Sequence, residues 1–228
     1  MWLEKAATAG LKQAQLLFGI SYRYGHNGLA KDEAKAHEWF LRAAGESVGL
    51  WEKFSNSVGL GPEPDDDLQS QSHAQNNVGS NYRRARGVAR NYEEAVRWYR
   101  VAFAGPNNAT ANKNLGLCYA NGWGVEKDDK RAFEHFLKAS EGGEQRSYYH
   151  LAVCYLEGRG VAEDQAKGLA LLEQAAQTGN HAALARLANA YKGSIPIPAL
   201  VIDQSKALQL YEQAYENAWF DLKQLDSD

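Results

Sequence analysis

Apolar and small residues return along this chain at spacings of four and eight, and the whole arrangement recurs about every 36 residues. Five tyrosines mark the register: Tyr22, Tyr82, Tyr119, Tyr155 and Tyr191. Four residues before them stand Phe18, Val78, Leu115, Leu151 and Leu187, all apolar. Three before stand Gly19, Gly79, Gly116, Ala152 and Ala188, and eight before stand Ala14, Ala74, Ala111, Ser147 and Ala183, all small. These intervals fall on one stripe of a 3.6-residue helix, so each tyrosine closes a first helix, A, whose small residues let a neighbour approach.

A glycine-rich turn follows, as in Tyr119-Ala120-Asn121-Gly122-Trp123-Gly124-Val125 and Tyr155-Leu156-Glu157-Gly158-Arg159-Gly160-Val161. Gly122 and Gly158 occupy the place where a helix ends in a left-handed residue. Next comes a column of Asp32, Asn91, Asp128, Asp164 and Asp203, side chains suited to capping a helix N-terminus. A second helix, B, then carries small residues at Ala36, Ala95, Ala132, Gly168 and Ala207 and at Ala43, Ala102, Ala139, Ala175 and Ala214. Bulky pairs such as Trp39-Phe40, Trp98-Tyr99 and Leu171-Leu172 lie between them, and Gly45, Gly105, Gly142 and Gly179 end the helix.

Recurrence at this period is the signature of a stacked-repeat architecture. The columns resemble the Sel-1-like repeat, a relative of the tetratricopeptide repeat, over residues 2–46 and 72–216. The fold this implies is all-α, a right-handed α/α superhelical solenoid of about five helix pairs. It is expected as a single domain: a half repeat at 2–10, then repeats at about 11–46, 72–105, 108–142, 145–179 and 180–216. A cap at 217–228 begins as a sixth A helix at Asn217–Leu225. Repeat two places Ala85 where the helix-ending glycine belongs, and repeat five has a longer turn, Gly193-Ser194-Ile195-Pro196-Ile197-Pro198. An insertion at 47–71 interrupts the series. Val48, Trp51, Phe54 and Val58 in it have helical spacing, and Gly59 to Asp67 read as a loop.

Composition narrows the function classes. No apolar run is long enough to span a bilayer, so membrane insertion is not expected. A net charge of −3 argues against a general phosphate-backbone binder, hence no nucleic acid. The N-terminus lacks a signal-peptide layout, which suits a cytoplasmic protein, or a periplasmic one whose leader was removed. Arg83, Arg84, Arg86 and Arg90 form a basic run that is solvated, docks an acidic partner, or pairs with Asp65–Asp67.

Little in the chain announces chemistry. His26, His37, His73, His135, His150 and His181 are scattered without ligand spacing, and Asp65–Asp67 lack spaced ligands, so neither metal nor cofactor is expected. Cys118 and Cys154 share a column on the packed side of helix A and read as buried, reduced core residues. No catalytic residues are assigned.

The helix-A face opposite the packed stripe is the better candidate. In related superhelices A helices line the concave surface, which makes this face the expected groove. Its columns vary where the structural ones do not: Asn77, Asn114, His150 and Arg186 five before the tyrosine, Arg146 nine before, and Asn76, Lys113 and Tyr149 six before. The binding set is Asn77, Asn114, Arg146, Tyr149, His150 and Arg186, with Tyr149 and Arg146 as anchors for a partner segment. The resemblance implies a non-catalytic protein–protein interaction module, a bacterial adaptor or scaffold, with the monomer favoured. Two alternatives accompany it: an immunity protein that neutralises a secreted antibacterial effector, and a hydrolase.

Overall fold

The computed structural model describes residues 2–45, 65–104, 109–194, 197 and 200–226, and the side chains of all these except 65–67 and 219–226. Among the described residues there are eleven α-helices and no strand. They are α1 (Trp2–Thr8), α2 (Lys12–Tyr24), α3 (Glu33–Ala44), α4 (Asp65–Arg84), α5 (Tyr92–Ala104), α6 (Ala109–Asn121), α7 (Asp129–Glu141), α8 (Ser147–Glu157), α9 (Gln165–Gln177), α10 (His181–Tyr191) and α11 (Gln204–Asp226). Val48, Trp51, Phe54 and Val58 lie outside the described residues, as do Ile195, Pro196 and Pro198.

Packing divides the chain into two compact units. One comprises Met1–Leu115 with Trp123–Glu126; the other comprises Gly116–Gly122 with Lys127–Asp228. In the first, α2 packs on α3 and α4 on α5 as A–B pairs, and α2 also touches α4. In the second, α8 packs on α9 and α10 on α11.

Each pair is built the same way. The capping side chains of Asp32, Asn91, Asp128, Asp164 and Asp203 all accept the backbone N–H three residues on, at 2.9–3.0 Å. That satisfies one orphan donor at every B-helix start. The backbone amide of each capping residue donates to the carbonyl of the repeat tyrosine, from Asp32 to Tyr22 at 2.8 Å through Asp203 to Tyr191 at 2.9 Å. The helix-A end and the helix-B start are therefore fastened by one recurrent backbone bond.

The small columns are steric requirements. A methyl group on Gly19, Gly79 or Gly116 would stand 2.6–2.7 Å from the ring of Phe40, Tyr99 or Phe136. These rings are buried, and each stabilises its pair by about 1.5–3 kcal/mol through apolar burial. The second turn glycine makes the junction to the preceding B helix. Gly160 has φ +71°, and a Cβ there would meet the Asp129 carbonyl oxygen at 2.0 Å.

Two boundaries differ from expectation. Asp65–Asp67 belong to the first turn of α4 and not to a loop. Acidic residues are favoured in the first turn of a helix by the macrodipole, and that preference outweighs the loop-forming tendency of the Asp run in the sequence. At the other end α11 continues unbroken from Gln204 to Asp226, so Asn217 does not begin a new A helix. α3 and α7 are capped by Gly45 and Gly142; Tyr215-Glu216-Asn217-Ala218 offers no glycine, and the helix runs on.

Candidate protein-binding faces

In the first unit, the repeat pattern places Arg23 just after the tyrosine that closes A-type character in α2. Its guanidinium reaches α4, donating from Nη1 to Asn77 Oδ1 at 2.9 Å and from Nη2 to Asn81 Oδ1 at 2.7 Å. It lies over the Phe40 ring, 4.4 Å from the centroid. Because Arg23 can only donate, both amide oxygens are fixed as acceptors and both NH2 groups must face away. That of Asn81 meets His37 Nδ1 at 3.1 Å, so this ring nitrogen accepts and the imidazole is neutral. Burial, then the Arg23 charge, holds His37 below the ordinary histidine value.

Asn77 is thus placed and partly exposed, but Asn114 is not on an open wall. It is buried and donates from Nδ2 to Asn76 Oδ1 at 3.4 Å, and Asn76 is buried in turn. Lys113 is buried as well. The expected groove face is closed at these three positions, where Asn114 of one A helix bonds Asn76 of the A helix before it, much as α2 touches α4 one repeat earlier. Within the basic run, Arg83 donates from Nε to the Tyr99 hydroxyl at 3.2 Å and lies over the Trp123 ring. An open cleft of about 620 Å³ runs along α5, with Glu93, Arg97, Arg100 and Val101 in its wall.

The second unit holds the remaining four residues. Arg146 is exposed just before α8, with φ −64° and ψ −17°. His150 stacks on Phe136 of α7, with centroids 4.7 Å apart and planes 16° from parallel. Tyr149 meets the same imidazole edge-on at 5.5 Å and packs against the cluster around Leu172 and Leu187. Arg186 is turned aside: Nη2 lies 2.5 Å from Glu157 Oε1, while Glu157 Oε2 also takes Arg159 at 2.6 Å. Tyr149, His150 and Phe136 therefore form one aromatic group beside Arg146 in sequence, with Arg186 occupied by an internal carboxylate.

Cys118 and Cys154 are buried thiols outside any disulfide. Burial, with Asp129 and Glu157 nearby, pushes Cys154 up to about 11, which leaves almost no thiolate at neutral pH. Among the described residues no group of three or more His, Cys, Asp or Glu side chains is arranged to hold a metal ion. No helix among them is long and apolar enough to cross a membrane.

Sequence reasoning singled out neither Arg23 nor Asn81. Asn81 did carry a signal, since it occupies the column in which Cys118, Cys154 and Ala190 are apolar and buried. A carboxamide in a core column asks for a partner, and Arg23 and His37 supply it.

The Sel1 repeat model matches residues 1–11, 12–46, 72–105, 109–144, 145–180 and 181–218. The chain belongs to the Sel1 repeat family. Segment 47–71 falls between matches. Among solved structures, the Sel1 repeat protein from Oxalobacter formigenes is 29% identical, covers 90% of this chain and 73% of its own, and superposes with a TM-score of 0.61. A second is c5321, described as a protective antigen of uropathogenic Escherichia coli strains with an SLR fold. It is 28% identical, with a TM-score of 0.54, over 94% of this chain and 48% of the antigen, so this chain spans about half its length. No curated protein matches. The fold class is the all-α Sel1 solenoid, and Sel1 repeats generally serve as protein–protein interaction modules.

Proposed function

We propose that this Sel1 chain is a non-catalytic adaptor or scaffold that holds a partner protein on the exposed faces of its A helices. The observation that supports the reading most is the Tyr149–His150–Phe136 group with Arg146 beside it. Aromatic and arginine side chains are the residue types that dominate interface energetics, and rings locked by packing lose little entropy on binding. Asn77 extends the same type of surface in the first unit. Asn114 and Arg186 act as supports for their neighbours, because each is already bonded within the chain.

The test is an affinity capture from cells of the source organism, with mass spectrometry of what is retained. Wild-type protein and the Arg146→Glu variant serve as parallel baits. The reading expects a protein retained by the wild type and depleted at least five-fold with the variant. Equal recovery on both baits removes the α8 face from the account.

A further inference from the structure

The Arg23 cluster does more than hold α2 to α4. A guanidinium carries five N–H donors; Asn77 and Asn81 take two of them, and the Tyr24 hydroxyl is a further partner. Both acceptors are neutral amides and the Phe40 face is uncharged, so these contacts hold a half-buried cation without neutralising it. Burial disfavours the Arg23 charge most; Tyr24 beside it favours the cation, Arg86 adds a like charge, and Glu33 is the carboxylate in reach of it. A guanidinium held in place at a half-buried position is a favourable partner for an anion arriving from outside, because charge-assisted bonds strengthen as water is excluded.

The orientation of Asn77 adds the second half of a site. With Oδ1 held by Arg23, its Nδ2 must present two N–H donors on the other side of the carboxamide, next to the remaining guanidinium donors. A planar anion seated there would accept from Arg23 and from Asn77 together, over a low-dielectric floor where charge-assisted bonds are strong.

We infer that the Arg23–Asn77 cluster is a recognition pocket for a carboxylate carried by a polypeptide partner. The inference rests on the interaction-module reading and adds to it the chemistry of the partner: an acidic residue or a chain terminus that completes the charge balance of α2 and α4. Arg86, on the same unit, steers the anion inward by its positive charge.

The experiment reads the arginine Nε–H resonance of 15N-labelled full chain, assigned by its loss in Arg23→Gln. The probes are N-acetyl-aspartate methylamide, N-acetyl-glycine, N-acetyl-asparagine methylamide and inorganic phosphate, at constant ionic strength. The expected result is a saturable shift with one or both carboxylates, and the tighter one identifies a side-chain or a terminal source. The neutral asparagine probe is expected to bind at least ten-fold more weakly. Asn77→Ala, which also removes one acceptor from Arg23, is expected to weaken the better probe at least three-fold in a protein that remains folded, and it carries the test should Arg23→Gln fail to fold. No saturable shift with either carboxylate, or phosphate binding tighter than both, overturns the inference. Either result leaves capture of a partner by the α8 face untouched, so the two readings fail separately.

Discussion

The backbone amide of Asp128 donates to the carbonyl oxygen of Tyr119 at 3.0 Å, and the Asp128 side chain accepts from the amide of Arg131 at 2.9 Å. Arg131 in turn places its guanidinium 5.6 Å from the Tyr119 ring. One residue thus ends one helix, starts the next and positions a cation over the tyrosine that marks the repeat. Asp128→Ala keeps the backbone bond and loses the cap, so it is expected to lower stability by about 1 kcal/mol. Denaturant melts with an unchanged m-value check this.

Turn residues are expected to respond with opposite signs. Gly160→Ala forces a Cβ onto the Asp129 carbonyl in a left-handed backbone, and should cost about 3 kcal/mol from strain and overpacking together. Ala85 already holds φ +58° at an exposed position, so Ala85→Gly should stabilise by about 1 kcal/mol. Thermal melts of the two variants against wild type separate these outcomes.

His37 gives the first unit an acid sensitivity. Its folded value is depressed below 6.5, so its neutral form contributes stability above 6.5 that is lost as pH falls through the folded value. Protonation would also end the acceptance from Asn81 and put a second cation beside Arg23. Melts at pH 7.5 and 5.5 should show a drop, and His37→Asn should reduce the difference between them.

Both cysteines should resist alkylation at pH 7.5 in the folded protein and react within minutes in denaturant. For Cys154 the folded value of about 11 lies above the ordinary 9.0, so stability is present below pH 9 and declines as pH rises towards 11. Intact mass after iodoacetamide treatment, with and without denaturant, reads the accessibility directly.

What the sequence reveals here is what is local. The caps at Asp32, Asn91, Asp128, Asp164 and Asp203 act over three residues, and the small columns answer to rings within the same repeat, so both are visible in the spacing. The burial of Asn76, Lys113 and Asn114 is set by a neighbouring repeat, which the helical wheel of one helix does not contain. Arg23 meets Asn77 and Asn81 across the 47–71 insertion, and no local pattern announces that contact. The same holds for Arg186, whose charge is claimed by Glu157 on α8 although its column alone suggests an open position. Fold class and pairing were therefore legible, while the chemical state of each candidate side chain was decided by residues far away in sequence.

The stacking of His150 on Phe136 also decides how the binding claim should be tested, since removing that imidazole disturbs the core. Arg146 is exposed, and the Tyr149 hydroxyl end of the ring can be altered with the ring kept or removed. The most direct measurement is calorimetric titration of the captured partner into wild type and into Arg146→Glu/Tyr149→Ala, with thermal melts in parallel. The account predicts at least a hundred-fold loss of affinity, about 2.7 kcal/mol, with both proteins folded. Wild-type affinity in the folded double variant would contradict it and move the binding site off the α8 face.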